Sequence, residues 1–310
     1  MKKALAGFIA LALMCSFCGA LAEPLRVAAL KGPTAMGLVK LMWDSEGGED
    51  YAFTLAASPD AVLPGLLRGE LDIACLPVNL APILYASTSG AVLATGINTL
   101  GVLYILERGE SIARLSDLSS RKLYASGKSS TPEYVLAHLL NKTGTVDVDI
   151  QWKAEHSEVL AALLNDPRGL ALLPQPFVTV AQGQNPDIRV ALDLNREWEA
   201  LGEGSLITGV TLVRAELFAG NPDVVSRFLN DYEASAAYVN ANHKEAAALV
   251  ERYGILAAGA AEKALPYCGI TSITGKEMQA LLTRFYAALF AQNPDSVGGT
   301  LPDAGLYAIP

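Results

Sequence analysis

The chain has 310 residues, of which 51% are hydrophobic and 18% charged, a composition typical of a folded globular protein and not of a disordered one. Its 23 basic and 32 acidic side chains give a formal net charge of −9, and no basic cluster lies beyond Lys2 and Lys3, which excludes nucleic acid as an expected partner. This length allows two domains of ordinary size or one large one.

The first 22 residues read as a secretory signal peptide. Lys2 and Lys3 provide a positive start, and the apolar run of residues 4–14 follows. Ala20-Leu21-Ala22 matches the small-x-small pattern that precedes a cleavage point, so we expect the exported chain to begin at Glu23. The protein would then be periplasmic or extracellular. The apolar run is short for a permanent membrane span, so an uncleaved anchor is the less favoured alternative.

A lipid-anchored form is a second alternative, because Cys15 and Cys18 lie in this segment. Bulky residues, Met14 and Phe17, precede these cysteines, whereas lipoprotein processing sites as a class carry small residues there. We therefore favour a cleaved signal peptide over a lipid anchor.

Short apolar segments alternate with longer helical patterns through the first two thirds of the chain. The pattern predicts strands at residues 25–30, 72–76, 92–94, 101–106, 122–125 and 170–173. It predicts a helix over residues 35–43, a helix that begins at Thr131-Pro132-Glu133, and an almost entirely helical region from Asn221 onward. Such alternation predicts an α/β fold with parallel sheets flanked by helices.

Polar residues follow four of the predicted strands. In open α/β sheets, ligands bind beyond the carboxyl ends of the strands, close to helix N-termini. The four junctions are residues 31–34, 77–79, 126–131 and 174–176, and their candidate ligand-binding side chains are Thr34, Asn79, Ser129, Ser130, Thr131 and Gln175. Each junction alone is also explained as a turn followed by a helix cap. Four similar junctions in two regions favour a shared binding cleft.

Common catalytic patterns do not account for the sequence. Gly127-Lys128-Ser129 resembles the end of a phosphate-binding loop, but Lys122 stands where that motif requires glycine. His138, His156 and His243 have no metal-ligand spacing to one another or to a cysteine pair, so we predict no metal site and no catalytic residues. We interpret the histidines as ordinary core or surface residues.

Several segments together resemble a known family. These segments are Leu25-Arg26-Val27-Ala28 leading into Gly32-Pro33-Thr34, residues 69–74, residues 115–123, residues 221–225 and residues 296–302. In this order and spacing the chain resembles the type II periplasmic binding proteins of ABC importers, within the group of sulfonate, nitrate, taurine and thiamine-pyrimidine binders. The resemblance extends over nearly the whole chain after the predicted cleavage point.

The resemblance implies a two-lobed fold in which each lobe is a mainly parallel sheet flanked by helices. Two crossover strands would form the hinge. Lobe 1 would combine residues 24–108 with residues 207–310 and its C-terminal helices, and lobe 2 would contain residues 109–206. The lobes would close over a bound ligand.

Carried over by position, the resemblance implies that the ligand-binding cleft is formed by loops of both lobes. The implied ligand-binding residues are Gly32, Pro33, Thr34, Val78, Asn79, Asn98, Thr99, Ser129, Ser130, Thr131, Gln175 and Gly209. The implied function is capture of a small molecule and its delivery to the permease and ATPase of an ABC importer. We expect a monomer without a cofactor and without enzymatic activity.

The chain departs from this family at the loop of the second lobe. Lys128-Ser129-Ser130 stands where many relatives are richer in glycine. The cleft loops contain no arginine that could form a bidentate clamp on a sulfonate or carboxylate, although Lys31 and Lys128 could supply positive charge. A small polar or heteroaromatic metabolite, including a vitamin-related one, is therefore as compatible with the sequence as an anion.

Two other functions share this architecture. One is a ligand sensor that signals to a membrane receptor. The other is an enzyme similar to the yeast-type pyrimidine synthase, whose cysteine-rich iron motif this chain lacks. The family fold would also place Cys75 and Cys268 in the same lobe, where oxidising conditions after export would permit a disulfide between them; two buried free thiols are the equally favoured alternative.

Overall fold

The computed structural model describes residues 23–48 and 50–310, so the predicted signal peptide, with Cys15 and Cys18, lies outside the described residues. Among the helices in those ranges, none has the length and apolar character needed to cross a membrane.

Through the first two thirds of the chain the described strands and helices largely alternate, as the sequence predicts, but the described residues form eleven strands where the sequence predicts six, and one of the additional strands, at residues 270–273, lies in the region predicted to be almost entirely helical. The strands are β1 (Leu25–Leu30), β2 (Tyr51–Ala56), β3 (Ile73–Pro77), β4 (Val92–Leu100), β5 (Leu103–Arg108), β6 (Lys122–Ser126), β7 (Asp149–Lys153), β8 (Leu170–Pro174), β9 (Ile188–Asp193), β10 (Ile207–Arg214) and β11 (Ile270–Ile273). The helices are α1 (Pro33–Met36), α2 (Val39–Asp44), α3 (Leu63–Leu67), α4 (Leu80–Ser87), α5 (Thr131–Lys142), α6 (His156–Asn165), α7 (Phe177–Gln184), α8 (Leu194–Ala200), α9 (Ala215–Gly220), α10 (Pro222–Ala241), α11 (His243–Arg252), α12 (Ala258–Ala264) and α13 (Gly275–Gln292).

The strands form two sheets, one in each lobe. The first sheet has the order β11-β4-β10-β3-β1-β2, and the second has the order β7-β6-β8-β5-β9. Two-lobed α/β architecture is therefore confirmed.

The sheets are mixed, which corrects the expectation that each is mainly parallel. β1 pairs in parallel with β2 and β3, and β6 pairs in parallel with β7 and β8. β10 is antiparallel to β3 and β4, and β5 is antiparallel to β8 and β9. The reason is the path of the chain between the two sheets. β5 begins just after the chain enters the second sheet, and β10 begins just after the chain returns to the first. Both run away from the boundary between the sheets, whereas β3, β6 and β8 run toward it.

The chain first passes between the sheets at Gly101 and Val102. Strand pairing places this crossing before Leu103, and β5, predicted to end lobe 1, is hydrogen-bonded within the second sheet. Val102 has a φ of 70°, which a β-branched residue rarely adopts. Two hydrogen bonds fix this crossing: Gly101 N–H donates to the Leu206 carbonyl at 2.7 Å, and Gln175 N–H donates to the Val102 carbonyl at 2.9 Å. The outer limits of the lobes stay predictions.

The predicted helix over residues 35–43 is divided into α1 and α2. The Ser235 hydroxyl, from α10, donates to the Gly37 carbonyl at 2.7 Å and accepts a hydrogen bond from Leu41 N–H at 3.0 Å. A Cβ on Gly37 would lie 2.7 Å from the Tyr232 hydroxyl oxygen, so the backbone approaches α10 at a distance that only glycine allows. The helix break thus depends on a tertiary contact that the local sequence does not encode.

One hydrophobic cluster extends through both lobes. It contains Leu76 from the first sheet, Leu123 from the second, and Phe285 from α13. Trp198 of α8 belongs to the same cluster, is fully buried, and has its ring centroid 5.2 Å from that of Phe285. The lobes therefore share an apolar core on the side of α13, in addition to the two strand crossings.

Candidate functional site

The polar junctions predicted from the sequence lie where parallel strands end. Residues 31–34 follow β1, Val78 and Asn79 follow β3, residues 127–131 follow β6, and Gln175 follows β8. We use "interlobe junction" for the region where the loops after β3 and β6 meet. Because strands of both sheets end there, backbone N–H groups of helices from both lobes lie close to it.

Asn79 and Thr131 connect the two lobes at the interlobe junction. The Thr131 hydroxyl donates a hydrogen bond to Oδ1 of Asn79 at 2.9 Å. Asn79 is 0% exposed and Thr131 is 2% exposed, so this contact is closed to solvent. Nδ2 of Asn79 is buried and has no hydrogen-bond partner among the described residues. A buried donor without a partner costs about 1–3 kcal/mol, so an acceptor group placed beside it would be bound favourably.

Asn98, Thr99 and Gly209 meet inside the first sheet, next to the interlobe junction. Nδ2 of Asn98 donates to the Thr211 hydroxyl at 3.1 Å, and the Thr99 hydroxyl donates to Oδ1 of Asn98 at 2.9 Å. Gly209 pairs with Pro77 in β3, two residues before Asn79. The Asn98 side chain thus links Thr99 to Thr211, and this hydrogen-bond network supports the sheet below the junction.

The close packing around Gly209 explains why a glycine occupies this position. A Cβ there would lie 2.3 Å from Oδ1 of Asn98 and 2.8 Å from the Thr99 hydroxyl oxygen. Both distances are far below van der Waals contact. Gly209 therefore allows the two polar side chains of β4 to lie flat against β10.

Gly32, Pro33 and Thr34 form the start of α1. The Thr34 hydroxyl donates to the Leu30 carbonyl at 2.9 Å and is thereby engaged in its own turn. Gly32 is buried and has a φ of 148°, and no heavy atom of another described segment lies within 4 Å of the position of its missing Cβ. Gly32 therefore borders open space, as a residue of a binding cleft would. Lys31, beside it, is exposed.

The second-lobe loop of residues 127–130 is partly engaged by its own helix. Ser129 has a φ of 59°, and its N–H donates to the carboxylate of Glu133 in the first turn of α5. Ser130 is the N-cap of α5 without a side-chain capping bond. Because Glu133 already places a negative charge at this helix N-terminus, a second anion is less favoured there. Lys128 is exposed on this loop.

Gln175 supports the loop after β8. Its Oε1 accepts hydrogen bonds from Thr179 N–H at 3.3 Å and from the Thr179 hydroxyl at 3.0 Å, and the residue is 3% exposed. Its backbone N–H donates to the Val102 carbonyl, where the chain passes from the first sheet to the second. The side-chain oxygen of Gln175 thus fixes the start of α7.

Sequence reasoning did not assign Ser126, His156 or Phe177 to the site. The Ser126 hydroxyl is 2.5 Å from Nδ1 of His156, and the rings of His156 and Phe177 have centroids 5.2 Å apart. Burial lowers the pKa of His156 to about 4, so its imidazole is neutral at neutral pH. His156 and Phe177 each begin a helix after a strand of the second sheet, and that position was the only signal available in the sequence.

The sequence also gave no indication that Tyr286 contacts the interlobe junction. Tyr286 lies on α13, is fully buried, and donates its hydroxyl hydrogen bond to the Val78 carbonyl at 3.0 Å. The C-terminal helix therefore supports the loop that carries Asn79. A contact across 208 residues leaves no local pattern in the sequence.

Cys75 and Cys268 are free, buried thiols, which corrects the hypothesis of a disulfide. Sγ of Cys75 lies 3.7 Å from the Thr211 hydroxyl oxygen, and Sγ of Cys268 lies 3.8 Å from Sδ of Met36. Each sulfur is thus packed among different neighbours in the first lobe. Burial raises the pKa of Cys75 to about 11 and that of Cys268 to about 12. Both thiols are accordingly protonated and unreactive at neutral pH.

The sequence matches no protein-family model, and no curated protein matches it. Solved structures do resemble it. An ABC transporter protein from Parabacteroides distasonis superposes with a TM-score of 0.78 at 23% identity, covering 93% of this chain and 99% of that chain. The periplasmic aliphatic sulphonate binding protein SsuA from Escherichia coli superposes with a TM-score of 0.72 at 20% identity, covering 89% and 90%.

A conserved Candida albicans gene product, described as exhibiting the generic periplasmic binding protein structural fold, superposes with a TM-score of 0.62 at 12% identity. It covers 89% of this chain and 93% of that chain. These similarities show that the chain has the periplasmic binding protein fold. At such low identities they establish the fold, and function must be argued from the site.

Proposed function

We propose that this protein is an extracytoplasmic solute-binding protein that captures a small metabolite between its two lobes and delivers it to an ABC importer. Its structural neighbours include binding proteins of ABC transporters. The polar junctions after β1, β3, β6 and β8 occupy the positions where proteins of this fold class bind ligands. We propose Gly32, Pro33, Thr34, Asn79 and Thr131 as the residues closest to the ligand.

The observation that carries this proposal is the contact between Asn79 and Thr131. It joins the carboxyl edges of the two sheets in a buried position, and it leaves Nδ2 of Asn79 as a donor without a partner among the described residues. Buried polar groups in folded proteins are nearly always hydrogen-bonded. An acceptor atom of a bound solute would accept a hydrogen bond from this donor and would thereby stabilise the closed arrangement of the lobes around the solute.

The proposed site is compatible with more ligand classes than sulfonates alone. SsuA from Escherichia coli is a binding protein for aliphatic sulphonates, and we propose such compounds as test ligands here. The N-termini of α4 and α5 favour acceptor-rich groups, and exposed Lys31 and Lys128 add positive charge. However, Glu133 lies at the N-terminus of α5, and no arginine lies in the predicted cleft loops. A neutral ligand with acceptor atoms is therefore as well supported as an anion.

The proposed role includes export and a membrane partner. Residues 1–22 are proposed to act as a cleaved signal peptide, which would place the protein in the periplasm or outside the cell. The proposed partners are the permease and ATPase of an importer, and the protein is proposed to act as a monomer without catalytic activity.

Thermal-shift screening tests this function. The chain of residues 23–310 would be screened against vitamins, pyrimidines, amino acids, sulfonates and inorganic anions. A ligand that binds only the folded state stabilises it by about 2.7 kcal/mol at a hundred times its Kd, so a saturable rise of the melting temperature identifies a binder. Asn79→Ala and Thr131→Ala should abolish that rise, and Asn165→Ala, on the exposed end of α6, should retain it.

The same experiment separates binding from catalysis. A compound that raises the melting temperature should be recovered chemically unchanged by mass spectrometry after prolonged incubation with the protein. Conversion of the compound would contradict the binding function and favour an enzyme. The absence of any saturable shift across the panel would contradict the proposed solute classes.

A further inference from the structure

Three residues that sequence reasoning did not assign lie together at the carboxyl edge of the second sheet. Ser126 is the last residue of β6, His156 is the first residue of α6, and Phe177 is the first residue of α7. Ser126 directly precedes the loop that leads to Thr131, and Phe177 directly follows the loop that contains Gln175. This group therefore lies at the sheet edge that borders the interlobe junction, on the one face of the second sheet that α6 and α7 share.

The imidazole of His156 is held by one side only. Its Nδ1 is hydrogen-bonded to the Ser126 hydroxyl at 2.5 Å, and Ser126 itself is 2% exposed. Nε2 of His156 has no hydrogen-bond partner among the described residues, and this atom is not fully buried. The bond to Ser126 thus fixes the ring and leaves Nε2 accessible as a neutral hydrogen-bonding group.

Phe177 adds an apolar wall beside this imidazole. The two ring centroids are 5.2 Å apart, and the ring planes are inclined by 54°. Two inclined rings form a corner, and we call His156 and Phe177 the aromatic corner. Aromatic faces favour stacking against another flat ring, whereas they give little to a small, strongly hydrated anion.

The loop after β6 offers no directional anion site beside the aromatic corner. The N–H of Ser129, which an anion at the α5 N-terminus would use, already donates to Glu133. Lys128 is exposed and supplies charge without directional hydrogen bonds. The aromatic corner is therefore the more structured recognition element beside this loop, and Lys153, which pairs with Ser126 in the neighbouring strand, adds a positive charge at the same edge.

We propose that His156, positioned by Ser126, and Phe177 bind a planar ring of the solute, with Nε2 of His156 hydrogen-bonded to an atom of that ring. This inference rests on the proposed function, because it names the chemistry of the same cleft. It predicts a ligand with a flat, unsaturated ring that carries hydrogen-bonding atoms. Ser126 acts as a positioning residue and does not contact the ring.

Histidine modification tests the accessibility of the corner without any ligand. Diethyl pyrocarbonate should modify His156 in the native chain of residues 23–310, and mass spectrometry should find His138, which is 2% exposed, protected. Protection of His156 equal to that of His138 would overturn the inference, because the ring would then be closed to a solute.

Three probes then test the ligand chemistry by calorimetry and thermal shift: cytosine, benzenesulfonate and ethanesulfonate. Cytosine or benzenesulfonate should bind and protect His156 from modification. His156→Ala and Phe177→Ala should each weaken that binding by about tenfold or more, the usual effect of losing one stacking contact. His243→Ala, at the start of α11 in the first lobe, is the matched control and should bind as wild type does.

Ser126→Ala should weaken binding less than His156→Ala and should change the His156 ring signals in NMR spectra, because it frees the imidazole to reorient. Binding of a ring-bearing probe that the His156 and Phe177 variants retain would overturn the inference and leave the proposed function standing. Failure of both ring-bearing probes would overturn the planar ligand class. A saturable shift with ethanesulfonate or another non-aromatic compound would then still support solute binding.

Discussion

The hydroxyl of Thr131 and the side-chain oxygen of Asn79 meet at 2.9 Å, and this bond joins the two sheets at their carboxyl edges. A neutral hydrogen bond contributes about 1 kcal/mol, which is about a fivefold change in an equilibrium constant. Thr131→Val keeps the side-chain shape but removes the donor, so we expect the ligand-free chain to shift toward an open arrangement. Small-angle X-ray scattering should show a larger radius of gyration. Thr143→Val, at the end of α5, is the control, and an equal expansion there would contradict a specific role for Thr131.

Gly209→Ala should destabilise the first lobe. Its Cβ would lie 2.3 Å from Oδ1 of Asn98, so β4 and β10 must separate or the Asn98 network must break. Overpacking of this kind costs about 1–3 kcal/mol, which urea unfolding can measure. Gly183→Ala, in α7 with no heavy atom within 4 Å of the new Cβ, should be neutral or stabilising. Equal effects of the two substitutions would show that the packing around Gly209 is looser than described.

Asp72 should make the stability of the first lobe dependent on acidity. Burial alone would raise the pKa of Asp72, but hydrogen bonds from Arg26 and Arg214 outweigh it and lower that pKa. Oδ1 accepts from Nη2 of Arg26 at 2.8 Å and from Nη2 of Arg214 at 2.9 Å. A lowered folded-state pKa contributes stability above the ordinary aspartate value of about 4, and this contribution disappears as the pH falls through the folded value.

Asp72→Asn should therefore lower the free energy of unfolding by about 1–3 kcal/mol at neutral pH, and the difference from wild type should narrow below about pH 4. Urea unfolding at several pH values measures the difference in the free energy of unfolding and its dependence on pH. Glu70→Gln is the control, because the Glu70–Arg68 ion pair is exposed and such pairs contribute little. A difference that stays constant with pH would contradict the ionic role of Asp72.

Phe285→Ala should weaken the apolar contact between the lobes. Phe285 is 1% exposed and packs against Trp198 of the second lobe, with 5.2 Å between ring centroids. Truncating a buried phenylalanine costs about 3–5 kcal/mol, and it should also expose Trp198 and shift its fluorescence to longer wavelength. Phe285→Leu, which retains most of the volume, should cost less. An unchanged emission spectrum in Phe285→Ala would contradict the shared core.

The cysteines should behave as buried thiols. In the chain of residues 23–310, neither Cys75 nor Cys268 should react with Ellman's reagent in the native state at neutral pH, because burial raises the pKa of each. Two thiols should become reactive in guanidinium chloride without reductant. Finding none under those conditions would show a disulfide and contradict the separate packing of the two sulfurs.

Much of the local structure follows from the sequence. The apolar run Leu25–Leu30 is a strand with the predicted bounds, and α5 begins at Thr131 as its proline and first-turn glutamate indicate. These elements are encoded by neighbours: side-chain periodicity, a cap and a proline act within one or two turns of the chain. Because ligands bind beyond the carboxyl ends of strands, the sequence alone also indicates Asn79, Thr131 and Gln175 as candidate site residues.

Tertiary structure alone decided which of these residues meet. Asn79 and Thr131 are 52 residues apart, and Ser126 and His156 are 30 apart, so no spacing in the chain predicts either contact. The crossing at Gly101 and Val102, the antiparallel strands β5 and β10, and the separation of Cys75 from Cys268 likewise depend on how the two lobes pack. Local sequence determines strands and helices through short-range interactions, whereas the interlobe junction is formed by long-range packing, whose free energy comes from burial shared by residues distant in the chain.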